Sequence, residues 1–351
     1  MHLPYDGVIL LNVGSPASPR VADVASYLRT FLTDENVISL PWIWRQILVR
    51  AIIVPFRKGR SAKMYKRLWY VSGGTSPLLN HMARLAEELE HHIAIPTVEA
   101  MRYGDPSVEF AVDRLRAKGG RLKRLLLVPL FPQFALSCYH TAVEHAKDEL
   151  HRILHSDIWI DVLPPYYASG RYISAVCDMI RPSLRQAKPQ RLFLSFHSIP
   201  IEHWKNTPRI VKGRGSAHRC NQDQCSDADV CYRYQCEYSA GKIAEALSNE
   251  GIDVEMVYQS QMGHRRWLGP SLKRRLRQSI SEDIRRVAVV VPGLSCDCLE
   301  TIDEIGIRAK HYFLKHGGDM LILLPSLNSD PVWVRALSGI IQDYYSSLSG
   351  S

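Results

Sequence analysis

The chain has 351 residues, 46% hydrophobic and 23% charged, with a formal net charge of +9 and a pI near 9.1. That balance excludes a disordered protein, and the length excludes one small domain in favour of two domains or one large α/β unit. The positive charge favours anionic partners, yet the basic residues are scattered and no RNA- or DNA-binding signature occurs, so nucleic acid is the weakest of them.

The N-terminus, MHLPYDGVILLNVGSP, has no basic stretch followed by a small-residue cleavage site and reads as a first strand. Its apolar run, 7–13, stops at Gly14-Ser15-Pro16, and a helical period follows from Val21 to Leu32. The segment 38–60, ISLPWIWRQILVRAIIVPFRKGR, carries Trp42, Ile43, Trp44, Ile47, Leu48, Ile52 and Ile53, edged by Arg45, Arg50, Arg57, Lys58 and Arg60. Such a segment packs in a core or lies in a lipid interface, with tryptophan near the headgroups and basic residues on acidic lipid. No run of 18 apolar residues occurs, so no membrane span is expected.

Further strands are expected over RLLLVPLFP (124–132), RLFLSFH (191–197), DVEMVYQSQ (253–261), RVAVVVPG (286–293) and MLILLPSLN (320–328). Several are apolar on both faces, as strands covered by helices on both sides must be. Helical stretches alternate with them, which implies parallel sheets. A break is expected near PPYYASG (164–170). The predicted fold is therefore α/β, with two Rossmann-like domains over 1–168 and 169–328. A C-terminal helix over 329–351 is expected to pack back on the first. Ligands in such sheets sit at the carboxyl ends of the strands.

One strand of this set, in LSFHSIP (194–200), delivers His197 to such an end before Pro200 stops it. An imidazole there either is satisfied by a neighbouring backbone group or works on a ligand. The candidate partners lie in GLSCDCLETIDEI (293–305). A helix starting near Asp297 puts Asp297, Glu300 and Glu304 on one face. Asp303 falls off that face, so its replacement by asparagine is expected to be nearly silent. Three clustered carboxylates repel, so one should hold a proton or face a cation. The same spacing also fits a capping box with Asp297 as N-cap, and the two readings are compatible.

Of eight cysteines, four fall in RCNQDQCSDADVCYRYQC (219–236), at Cys220, Cys225, Cys231 and Cys236. A chain without an export signal suggests a reducing compartment, where thiols this close suggest a metal site. Structural zinc prefers tighter pairs, whereas a four-residue gap occurs among [2Fe–2S] ligands. Cluster, zinc and unligated thiols all stay open. Cys296 and Cys298 read as buried packing residues.

Ten segments in order resemble the ferrochelatase family: LLNVGSP, YLRTFLTDENVI, YKRLW, GGTSPL, MRYGDPS, PLFPQFALSC, LSFHSIP, YQSQMGHRRWLGP, PGLSCDCLETIDEI and PSLN. The resemblance implies two similar Rossmann-like domains with a porphyrin cleft between them. It also implies insertion of Fe²⁺, as a substrate, into protoporphyrin or coproporphyrin to give haem. By it His197 matches the active-site histidine, and Glu300 the glutamate facing it across the macrocycle, both able to touch the metal. Asp297 and Glu304 match the acidic path beside them. Val13 and Ser15 fall where the family approaches the ring, Tyr103 and Arg102 near the ring or its propionates, and Ser137 and Trp267 on the wall. Val13, Gln261 and Leu294 depart from the residues usual at their places. Some members carry a [2Fe–2S] cluster, often through a C-terminal extension; here all four ligands would be internal. The position of 38–60 at the lip of the cleft favours the lipid interface, in a cytoplasmic protein peripheral to the membrane. Monomer or homodimer stays open. Two rival functions are insertion of another metal, such as cobalt, and non-catalytic porphyrin or haem carriage.

Overall fold

Residues 3–119, 122–155, 158–213, 220–221, 224–261 and 266–349 are described by a computed structural model. They form two units, one of residues 1–130, 136–164 and 341–351, the other of residues 131–135 and 165–340.

The first unit is built on β1 (Gly7–Asn12), β2 (Thr97–Met101), β3 (Arg124–Pro129) and β4 (Trp159–Val162), all parallel, in the order β2-β1-β3-β4. Every residue of β1 is buried, as a central strand covered on both faces requires. The apolar pattern did not signal β2 and β4, the two edge strands. Both are short and mix charge with apolar residues: Glu99 is buried against Arg114 at 2.7 Å, and Asp161 accepts from Arg124 at 2.9 Å. After β1 the chain turns at Gly14 with φ +103°, where a Cβ would lie 2.0 Å from the Tyr103 carbonyl oxygen. Only glycine allows that approach.

A long helical stretch follows the first helix of this unit, α-helical over Trp42–Ile47, π-helical over Leu48–Ile53 and α-helical again over Val54–Val71. Val49 and Val54 pack on Ala25 and Leu32, which fixes its inner face. Its other side leaves Trp42, Ile43, Trp44, Ile47, Ile52 and Phe56 exposed, Phe56 by 82%. Arg45 does not edge that surface as expected: it is buried and donates to the Leu40 carbonyl at 2.8 Å. Among the described residues no helix is long and apolar enough to cross a membrane.

The second unit carries β5 (Arg191–His197), a two-stranded antiparallel hairpin β6 (Cys220–Asn221) and β7 (Gln224–Cys225), then β8 (Asp253–Gln259), β9 (Arg286–Val290) and β10 (Met320–Leu323). Its main sheet is parallel, in the order β10-β9-β5-β8. Phe193, Val257, Val287, Val289, Leu321, Ile305 and Phe313 form its core. Each such side chain contributes about 1.5–3 kcal/mol by leaving water. In each unit a π-helical stretch follows the third strand, Leu136–His140 after β3 and Glu300–Ala309 after β9. The last helix, Pro331–Ser349, buries Trp333 and Leu337 in the second unit. Residues from Ile341 onward belong with the first, where Tyr345 meets the Tyr5 ring edge-on.

Candidate active site

His197 ends β5, half-buried beside Gln259, its register partner on β8. Its Nδ1 lies 2.8 Å from the Ser198 carbonyl oxygen. A carbonyl only accepts, so Nδ1 carries the proton and Nε2 of the neutral ring is left as an acceptor. The Ser198 N–H donates to the Gln259 carbonyl at 2.9 Å, and the Ser198 hydroxyl to the Leu268 carbonyl at 2.8 Å. The imidazole thus hangs on a peptide that is itself held.

The three carboxylates come from the loop and π-helix after β9. Asp297 precedes the helix, so the shared-face geometry drawn from a start at Asp297 does not form. The capping box is also absent: Cys298 N–H donates to Thr301 Oγ1 at 3.0 Å, while Asp297 turns to the end of β10. There Ser326 donates to its Oδ1 at 3.1 Å and Asn328 Nδ2 to its Oδ2 at 2.8 Å, with Asn328 Oδ1 receiving the Asp297 N–H. Glu304 is clamped by Ser260 at the end of β8, whose N–H and hydroxyl donate to its two oxygens at 2.9 and 2.7 Å. Ser260 has φ +64°, a conformation a serine adopts at a cost of about 1–3 kcal/mol. Glu300 differs from both: among the described residues its carboxylate has one hydrogen-bond donor, the Cys298 thiol at 3.1 Å. Burial, reinforced by the Glu300 charge, pushes that thiol well above its usual range, so it stays protonated and donates. Burial, with Asp297 beside it, likewise pushes the Cys296 thiol up to about 12. Asp303 is fully buried and pairs with the exposed Arg308 at 2.7 Å, so it serves the interior of the unit.

In the first unit, Tyr103 and Arg102 serve an interior carboxylate. Asp34 Oδ2 accepts from Arg102 at 2.7 Å, from the Tyr103 hydroxyl at 2.8 Å and from Thr141 at 2.6 Å. Burial raises the Asp34 pKa, but Thr141, the Asn36 N–H, Tyr103 and Arg102 together outweigh it and hold the group below its ordinary range. Tyr103 is 1% exposed and the Arg102 guanidinium is ion-paired with Asp34, so both have an interior partner in the first unit. Ser15 is buried and accepts from Ser76 at 3.0 Å; Val13 and Ser137 are half-buried. In the second unit Trp267 is half-buried and bridges to Pro200, beside the strand end that carries His197. Residues 262–265 of its segment lie outside the described residues.

Cys220 and Cys225 face each other across the β6–β7 hairpin, and with Cys231 their sulfur atoms all lie within 4.8 Å of one another. Cys231 caps the helix Tyr232–Ala246 and accepts from the Tyr234 N–H at 3.5 Å and from Trp204 Nε1 at 3.3 Å. Burial pushes the Cys231 thiol up to about 11, against those two donors. Cys236 is fully buried on the same helix and outside the group, so three of the four expected thiols converge. Residues 219, 222 and 223 of this segment lie outside the described residues. Sequence reading missed Asp34, Ser260, Ser326, Asn328 and Tyr232, all of which lie in segments it had singled out. Small polar residues before or after a strand give no periodic signal.

Two parallel sheets with functional groups at their carboxyl ends define the class II chelatase fold. SirB from Bacillus subtilis, solved with Fe³⁺, shares it at TM-score 0.52 and 16% identity, over 78% of this chain and 91% of that one. The Ferrochelatase family model matches residues 5–344, and the chain belongs to the ferrochelatase family. It is 41% identical over 342 residues to a ferrochelatase of Porphyromonas gingivalis, covering 96% of this chain and 95% of that protein. With a ferrochelatase of Pseudomonas savastanoi pv. phaseolicola it shares 37% over 342 residues, 95% of this chain and 97% of that protein.

Proposed function

We propose that this chain inserts Fe²⁺ into protoporphyrin IX or coproporphyrin III with release of two protons, at the terminal stage of haem synthesis. The observation that carries the reading is the hydrogen bond of His197 Nδ1 to the Ser198 carbonyl, which in a neutral ring leaves Nε2 as a base at the end of β5, in the sheet whose β9 leads into the carboxylates. A free-base porphyrin must lose two pyrrole protons as the metal enters, and a neutral imidazole accepts one of them. Glu300, the least restrained carboxylate, displaces water from the incoming ion and releases it to the four nitrogens of the product. Asp297 and Glu304, fixed at both oxygens, keep negative charge in place along the approach. A non-catalytic carrier needs neither a base nor an unclamped carboxylate. Purified protein incubated with Fe²⁺ and each porphyrin without oxygen should form the haem. Insertion of Co²⁺ but not Fe²⁺ would favour the other chelatase, and binding without insertion would favour the carrier.

Two further parts belong to this reading. The exposed tryptophans and isoleucines of 42–56, followed by Arg57, Lys58 and Arg60, suit a peripheral contact with anionic lipid, from which a poorly soluble porphyrin enters. The thiols of Cys220, Cys225 and Cys231, with N–H donors on Cys231, suit a thiolate-bound group. A [2Fe–2S] cluster or a zinc ion held there would supply a cross-link that ties the hairpin to the helix. Protein purified without oxygen should be reddish-brown with about two iron and two sulfide atoms per chain if it is the cluster. A colourless protein with one zinc would assign the ion instead.

A further inference from the structure

We infer that Tyr232 is a positioning residue for the His197 imidazole and couples that ring to the Cys220–Cys225–Cys231 thiols; the coupling rests on the metal reading above. The peptide joining His197 to Ser198 is gripped from both sides. The Tyr232 hydroxyl donates to its carbonyl oxygen at 2.7 Å, while its N–H donates to the Gln259 carbonyl at 2.9 Å. The next carbonyl, that of Ser198, receives the Nδ1 proton of His197 at 2.8 Å. The tilt of the gripped peptide therefore aims the group that selects the tautomer, and Tyr232 sets half of that tilt. A hydrogen bond weakens steeply with misalignment, so a small rotation there reaches the ring.

The other end of the link is the thiol group. Tyr232 is buried and is the first residue of the helix Tyr232–Ala246, whose N-cap is Cys231. An ion held by three thiols fixes Cys231 and with it the first turn that carries the tyrosine. The same sulfur accepts from Trp204 Nε1 and the Tyr234 N–H, so a shift of the sulfur is passed to that turn. Filling the thiols should sharpen the Nδ1–H tautomer of His197, and emptying them should blur it.

The test uses the full-length protein with ¹⁵N-labelled histidine, the His197 signals being assigned by their loss in His197→Ala. Tyr232→Phe keeps the ring and removes only the donor. It should move the His197 nitrogen shifts toward a mixture of tautomers and lower kcat ~3- to 10-fold, the value of about one hydrogen bond, with KM unchanged. Unchanged nitrogen shifts in Tyr232→Phe would overturn the positioning role, whatever happens to activity. Zn²⁺ at one equivalent should then protect the three cysteines from alkylation and sharpen the His197 signals in the wild type but not in Tyr232→Phe. Protection without any change at His197 overturns the coupling. A change that persists in Cys231→Ser, which keeps a helix cap but loses the thiol, means that zinc acts on the ring directly and also overturns it. No protection in the wild type overturns the metal reading, while the Tyr232→Phe shifts still decide the positioning role.

Discussion

The two sheets have the same plan. Taken in chain order within each unit, the strands of both are arranged 2-1-3-4, since β8-β5-β9-β10 repeats β2-β1-β3-β4. In each, a cis peptide bond before a proline follows the second strand, Asp105–Pro106 and Gly269–Pro270, and a π-helical stretch follows the third. What differs is the use made of equivalent places. Asn12 ends the first strand of one unit, buried with its side-chain oxygen on the Val13 N–H; His197 ends that of the other, half-buried with one nitrogen left to accept. The first π-stretch, Leu136–His140, has no acid, while the second carries Glu300, Asp303 and Glu304. The first unit gathers its best donors onto Asp34 in the interior. Topology supplies equivalent sites, and side chains decide which becomes chemistry.

The most severe way to test that difference is His197→Ala. Turnover should fall by about 10²–10⁴, the usual worth of a general base, with the melting temperature nearly unchanged. A variant that keeps more than about a tenth of wild-type turnover would contradict the base role. Asp34→Ala should do the reverse, because it strands Arg102, Tyr103 and Thr141: about 3–5 kcal/mol of stability lost by denaturant titration, with turnover of the folded fraction kept. The same carboxylate gives a signed pH effect. Its folded pKa is depressed, so its stabilisation is present above the unfolded value of about 3.9 and is lost as pH falls through the lower folded value. Wild-type melting temperatures should therefore drop through that acid range more steeply than those of Asp34→Ala.

Within the second unit, Glu300→Gln should cut turnover about 10²-fold. Asp303→Asn should cost about 1–3 kcal/mol of stability by weakening the pair between the buried Asp303 and the exposed Arg308. Equal losses of turnover at equal folded fraction would erase the distinction between the two acids. The smallest effect is expected for Ser260→Ala, which frees one oxygen of Glu304 and should lower kcat about 3- to 10-fold.

The central strands β1, β3, β5 and β9 were legible because burial on both faces writes a continuous apolar run, and the edge strands β8 and β10 because aliphatic and aromatic residues still dominate them. The edge strands β2 and β4 were not, since Glu99 and Asp161 interrupt the run and find partners only in three dimensions. The same limit applies to the site. His197 stood out as one imidazole at the end of a buried strand, and the acids stood out as a cluster. Which acid is clamped depended on Ser260, Ser326 and Asn328, far away in sequence, and no spacing announces them. Asp34, nearly seventy positions before Arg102 and Tyr103 and hydrogen-bonded to both, was hidden for the same reason.

The ten residues Glu300–Ala309 carry hydrogen bonds one residue wider than an α-helix, and this makes the acidic path unusually sensitive to chain length. In an α-helix each residue turns the chain by about 100°. Losing a single residue between Glu300 and Glu304, as an in-frame deletion of one codon would, lets the stretch tighten toward an α-helix. The two acids, then three residues apart, still share a face, but Glu304 is rotated and shifted relative to the Ser260 groups that hold it. Point substitutions change the charge at these positions one at a time; a one-codon deletion would change their mutual bearing while leaving both acids in the sequence. Insertions and deletions in this segment should therefore be far less tolerated than in the loops that follow the other strands of the same sheet.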